Sequence, residues 1–248
     1  SAILSRLAEA EARQAPLLIP AGTYRTTGLD VTAWDGLRIF GEDTEASIIE
    51  NINDDGTTAC LSLKAPASAA IRSVSLEGFT LLGNAQSGNG LELNAGESEV
   101  IGTGHFSRLV SRGHGLSGFR VHGYTDFMVW VNCFSRDNGV HGWHFEGTHL
   151  LSAQTLLSCV AGRNGDSGVY ATSMIGALNL IGCELGANDI GLHWTSANQT
   201  PRRLTVLGGR FEGNTTHQVK LYGGSLRGIY IANIDILDGK GLAEQIHV

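Results

Sequence analysis

Four copies of one unit lie between Met128 and Leu221: VNCFSRDN-GVHGWHF, LSCVAGRN-GDSGVYA, IGCELGAN-DIGLHW and LGGRFEGN-TTHQVKL. They align on Asn138, Asn164, Asn188 and Asn214, which are 26, 24 and 26 residues apart. Five residues before each Asn stand Cys133, Cys159, Cys183 and Gly209; three before stand Ser135, Ala161, Leu185 and Phe211. A repeat of this length, built from short alternating apolar runs without a helical period, predicts a stacked solenoid. One copy cannot bury its own apolar face, so neighbours must stack to form a core.

The frame extends both ways. Asn84 takes the turn position of the rung from Arg72 to Leu93, with Phe79, Leu81, Leu91 and Leu93 inward. His114 takes it in the next rung, with Leu109, Ser111, Phe119 and Val121 inward. The last rung carries Ile231, Ile234 and Ile236 and closes on a strand-like QIHV. Each rung is expected to hold three strands. Inward pairs of the first are Met128/Trp130, Leu178/Leu180 and Leu204/Val206; the second holds the cysteine ladder; the third has Trp143/Phe145, Val169/Ala171 and Leu192/Trp194 inward. The Asn residues are expected to bond backbone in tight turns, a structural role. The cysteines read as buried packing residues, since no CxxC or Cys/His spacing points to a metal or other cofactor.

Ahead of the rungs, Ile3, Leu4, Leu7 and Ala8 share a helical face that Pro16 terminates, which suits a cap over the first rung. The reading is one domain, 1–248, with a capping helix at 1–15 and stacked rungs over 17–248. Because the chain opens on Ser1 and nothing cap-like follows the last rung, it is expected to be a segment of a longer one. The 34 glycines and 4 prolines suit many tight turns. A net charge of −7 argues against a nucleic-acid partner, and no apolar run approaches the ~20 residues that insert across a bilayer.

Pro20-Ala21-Gly22-Thr23-Tyr24, followed by a hydrophobic strand closing on Gly41-Glu42, resembles the entry to pectate-lyase-like (pectin-lyase-like) β-helices. It is especially similar to the branch of phage tailspikes and prophage tail proteins. The resemblance implies an all-β, single-stranded right-handed parallel β-helix with a short N-terminal capping α-helix. It further implies a tail protein of the virion or an extracellular protein that recognises and cleaves bacterial surface polysaccharide, as a glycoside hydrolase or a lyase. Such proteins usually form homotrimers, for which the first-sheet face with Val129 and Tyr230 would serve as the subunit contact. The alternatives are a non-catalytic glycan-binding module and a structural β-helix segment. Gly113-His114-Gly115-Leu116-Ser117 is similar to a stretch of polygalacturonases, but their Asp pair one rung earlier is absent: the matching place reads Ser87-Gly88-Asn89-Gly90-Leu91.

Outward positions follow from the period of two. On the first sheet they read Ser75, His105, Val129, Thr155, Asn179, Thr205 and Tyr230, almost without charge. On the third they read Glu92, Arg120, His144, Tyr170, His193 and Lys220, and two residues on, Asn94, His122, Glu146, Thr172, Thr195 and Tyr222. Glu92, His122, His144 and Glu146 are therefore the catalytic candidates, with Asp126 beside them from the following loop. A carboxylate next to an imidazole tunes a general acid or base. Arg120, Tyr124, Tyr170 and His193 are the substrate-binding candidates, Arg120 as a bidentate carboxylate holder. The same residues also suit an ordinary water-facing sheet with cross-strand charge pairs. Glu92 and Glu146 sit two rungs apart, which puts their Cα atoms roughly 12 Å apart, and inverting glycosidases hold their carboxyls about 6.5–9.5 Å apart. The segment from Asn94 to Thr103, with Glu97 and Glu99, is expected to be a long loop walling a groove together with Tyr124, Thr125 and Asp126.

Overall fold

The corners of each rung are set by single residues in the left-handed backbone region. One series runs through Gly78, Arg108, Asn132, Ser158, Gly182, Gly208 and Asn233, and a second through Gly113, Asp137, Arg163, Ala187 and Gly213. Only Gly, and to a lesser degree Asn and Asp, adopts this region cheaply, so Arg, Ser and Ala recurring there show that stacking dictates the corner. In the computed structural model, residues 2–67, 70–96, 99–146, 151–172, 175–195, 202–222, 226–237 and 246–247 are described.

Between corners the described residues form three parallel sheets of nine strands each, every strand pairing with its counterpart one rung away. The fold is an all-β parallel β-helix with one helix, Ala2–Arg13, at its start. Strands such as Tyr124–Val131 build the first sheet, Phe134–Arg136 the second and Trp143–Glu146 the third. The inward pairs are buried as expected, Met128, Trp130, Trp143, Phe145, Leu178, Leu180, Leu192 and Trp194 among them. Aromatic stacking fills the tube: Phe106 lies 4.1 Å from Trp130, and Phe119 bridges Trp130 and Trp143 at 5.1 and 5.0 Å. No helix among the described residues is long and apolar enough to cross a membrane.

Four expectations need correction. The buried face of the helix is Ile3, Leu7 and Ala10, whereas Ala8 is exposed. Cys133, Cys159 and Cys183 form a buried stack of free thiols, but at the corner before the second sheet. Their Sγ atoms lie 3.3–3.5 Å from the carbonyls of Phe106, Trp130 and Leu156. Val100–Ser107 is a strand, so the expected loop does not extend to Thr103, and Glu97 lies outside the described residues. Tyr124, Thr125 and Asp126 likewise open a first-sheet strand, because Gly123 turns the corner alone at φ 86°. The strand-like end is confirmed as Ile246–His247, paired with Val219 and Lys220.

The turn ladder is continuous. The backbone N–H groups of His114, Asn138, Asn164 and Asn188 donate to Oδ1 of the Asn one rung on, at 3.2, 3.3, 3.0 and 3.0 Å. Side-chain amides of Asn138, Asn164 and Asn188 donate to the same oxygens. His114, buried, directs Nε2 at the Leu81 carbonyl, 3.2 Å away. A carbonyl only accepts, so Nε2 carries a proton, and burial lowers the ring's pKa to about 4, which keeps it neutral near pH 7. A methyl group at Gly83 or Gly90 would overlap this ring, so the glycines around the GHGLS segment make room for a structural histidine.

Candidate functional site

The third sheet turns Leu91/Leu93, Phe119/Val121, Trp143/Phe145 and Val169/Ala171 into the tube, leaving alternate residues outside. Its register matches the expected rows: Arg120 pairs with Glu92 and His144, His144 with Tyr170, Tyr170 with His193, and His193 with Lys220. His122 pairs with Asn94 and Glu146.

Side chains then cross the register. Arg120 reaches both acids, with Nη1 3.3 Å from Glu92 Oε2 and Nε donating to Glu146 Oε1 at 2.6 Å. Its Nη2 also contacts Glu146. Asn89 Nδ2 donates to Glu92 Oε2 at 2.9 Å. The other Glu146 oxygen lies 3.2 Å from His144 Nε2, an ion-pair distance with the ring off line for a hydrogen bond. The His144 ring above all, with Arg120, holds the Glu146 carboxyl down at about 2 against the opposing effect of burial. Glu146 is therefore an anion near neutral pH and cannot donate a proton there. The guanidinium occupies the space between Glu92 and Glu146, and its carboxylate-binding fork is already filled.

Along the sheet the row continues as rings. His141 lies in the turn before Trp143–Glu146 and is buried; its ring is 4.4 Å from Tyr170 and 4.9 Å from His144. Tyr170 is 5.2 Å from His144 and 5.0 Å from His193. His141 Nδ1 accepts the Ser167 N–H at 3.4 Å, and Asp166 Oδ2 lies 3.7 Å from the same nitrogen. Burial first, then His144, lowers the His141 pKa to about 3. Burial also lowers His122, helped by Arg120, and His193, helped by Lys220. These three imidazoles are neutral proton acceptors or donors near pH 7.

The structure thus gathers Glu92, Arg120, His122, His144, Glu146, Tyr170 and His193 on one face. Tyr124 and Asp126 lie around the Gly123 corner on the first sheet, where Asp126 accepts from Ser152 Oγ at 2.8 Å; Thr125 points inward and is buried. His141 escaped the sequence reading because period-two alternation says nothing about turn residues. The signal was its place two residues before the first inward residue of a third-sheet strand. Among the described residues, no three His, Cys, Asp or Glu side chains are arranged to hold a metal ion.

No protein-family model and no curated protein matches this chain. Among solved structures it is similar to the A-module of the mannuronan C-5 epimerase AlgE4 of Azotobacter vinelandii, with a TM-score of 0.56 and 16% identity over 99% of this chain and 92% of that one. The A-module of AlgE6 from the same organism aligns over 100% and 91% of the two chains, with a TM-score of 0.48 and 16% identity. At this identity the AlgE4 likeness bears on the architecture alone: the chain has a parallel β-helix fold.

Proposed function

We propose that this chain recognises and processes an extended bacterial surface polysaccharide, in the manner of a phage tail protein, along the outer face of its third sheet. The observation that carries the reading is the row His144, Tyr170, His193 and Lys220, one residue per rung, with Tyr222 67% exposed beside it. Rings spaced by the ~4.8 Å strand separation form a track along the helix axis, and amphipathic rings suit sugar faces. The mannuronan-acting neighbour supports a polysaccharide as the substrate.

The groups able to move a proton are neutral imidazoles and Tyr170, whereas Glu92 and Glu146 share one arginine. That arrangement favours lyase-type proton abstraction over hydrolysis between two carboxylates, which requires one carboxyl with a raised pKa. A homotrimer of the virion tail belongs to the same proposal. An outward apolar row on the first sheet, Val131, Leu157, Ile181 and Leu207, with Leu157 and Leu207 each 37% exposed, supports a subunit contact.

The test is incubation with a panel of capsular polysaccharides and O-antigens, following reducing ends and the ultraviolet absorbance of unsaturated ends. Both signals together identify a lyase, and reducing ends alone a hydrolase. Tyr170→Ala and His193→Ala are each expected to weaken polysaccharide binding about tenfold, roughly 1.4 kcal/mol. Full retention of binding in both would remove this face from consideration. A second reading, a non-catalytic glycan-binding segment, is favoured by the commitment of both glutamates to Arg120. Binding without either cleavage signal would select it.

A further inference from the structure

The second sheet also has an outer face, and nothing above uses it. Its outward columns run Val110, Phe134, Val160, Glu184 and, two residues on, Arg112, Arg136, Gly162, Gly186. Arg112 and Arg136 are thus direct lateral neighbours, about 4.8 Å apart at the backbone. Like charges placed directly opposite destabilise a sheet, and among the described residues neither arginine forms an ion pair. Nε of Arg112 is buried without a hydrogen-bond partner. Of the nearby acids, Asp137 is committed to Arg163 through bonds of 2.6 and 2.9 Å, and Glu45 lines the same hollow as the two arginines without an ion pair to either.

Phe134, 40% exposed, stands on the same strand as Arg136. Two abutting hollows of about 410 and 600 Å³ share these two residues and form one trough. Its floor stays open at Gly162, where a Cβ would meet only the Gly186 carbonyl at 3.4 Å, and φ is not left-handed. Neither backbone conformation nor packing demands glycine there. A strand glycine without such a reason marks a place where something approaches the backbone. Beyond it stand Glu184 and Glu212, so the trough turns acidic past the glycine.

We propose that this trough is a second carbohydrate site, for an acid-bearing sugar whose anionic group lies across Arg112 and Arg136 and whose ring packs on Phe134. Two guanidinium forks one strand apart satisfy an anion from both sides. The open glycine floor admits the next residue of the chain. The assignment rests on the glycan reading above but not on the third-sheet face.

The test is calorimetric titration with an oligogalacturonate and with its carboxyl-reduced counterpart. The acidic form is expected to bind at least tenfold tighter. Arg112→Gln/Arg136→Gln is expected to abolish that preference, and Gly162→Leu to weaken binding by filling the floor, neither with a lowered melting temperature. Tyr170→Ala is expected to leave it intact. Equal binding of the acidic form by the double arginine variant, or no binding by the wild-type chain, overturns the inference. Loss in Tyr170→Ala alone overturns it too, while leaving the third-sheet reading standing. Equal competition by inorganic sulfate on a charge basis would remove the carbohydrate part of the proposal.

Discussion

Two rows of polar residues run along this molecule, and they differ in kind. The inner row, His114, Asn138, Asn164, Asn188 and Asn214, repeats nearly one residue type and is buried. The outer row on the third sheet, Glu92, Arg120, His144, Tyr170, His193 and Lys220, changes residue at every rung and is mostly half-buried. In the inner row the oxygens of Asn164, Asn188 and Asn214 each receive two hydrogen bonds from the rung before, so from Asn138 onward the geometry favours the same amide at each step. In the outer row nothing in the backbone demands any residue, so its variety is free to serve a ligand. Repetition of identity marks architecture in a solenoid, and variation at an equivalent position marks chemistry.

The largest expected effect breaks the inner row. Asn164 accepts from Asn138 twice and donates to Asn188 Oδ1 and the Ser135 carbonyl. Asn164→Ala removes these four buried hydrogen bonds and leaves the Asn138 backbone N–H unpartnered, and is expected to cost about 3 kcal/mol in denaturant unfolding. A loss below about 1 kcal/mol would show the ladder to be ornamental.

His114 supplies the next. Burial lowers its pKa from 6.5 to about 4, so the native ring stays neutral while the unfolded one takes a proton. Its native state is penalised progressively as pH falls from 6.5 to about 4, and unaffected above that window. Replacing it with the ladder's usual residue, His114→Asn, is expected to reduce the loss of stability between pH 7 and 4 by about 2 kcal/mol. Parallel stability-pH curves for the two proteins would contradict the assignment.

Glu146 gives the outer-row counterpart with the opposite sign. Its carboxyl is lowered from 4.5 to about 2, so its stabilisation is present above pH 4.5 and lost as pH falls toward 2. After discounting for partial exposure, Glu146→Gln is expected to cost about 1 kcal/mol at pH 7 and nothing at pH 2. A cost as large as that of Asn164→Ala would erase the distinction between the rows.

The smallest effect is a gain. Ala187 holds φ 57° at an exposed corner beside Asn188. Ala187→Gly is expected to stabilise by about 0.5–1 kcal/mol, seen as a higher melting temperature. Destabilisation would mean that the entropy glycine loses outweighs the strain it relieves.

Much of this was legible in the residues. The Asn spacing predicted the rungs, and the alternation predicted both outer rows of the third sheet in their observed register. Asp126 and Tyr124 were misplaced because a single glycine, Gly123, turns the corner where a loop was expected. Ala8 was misassigned because a stripe of apolar residues does not say along which line a helix meets its neighbour.

The sequence alone determined where each strand residue's Cβ points, since backbone periodicity admits only two faces. Only the tertiary structure decided what those side chains reach. Arg120 leans to two acids on different rungs, and His141 packs from a turn onto Tyr170. Those outcomes depend on rotamers chosen by neighbours about 26–29 residues away in the chain, and local sequence carries no record of them.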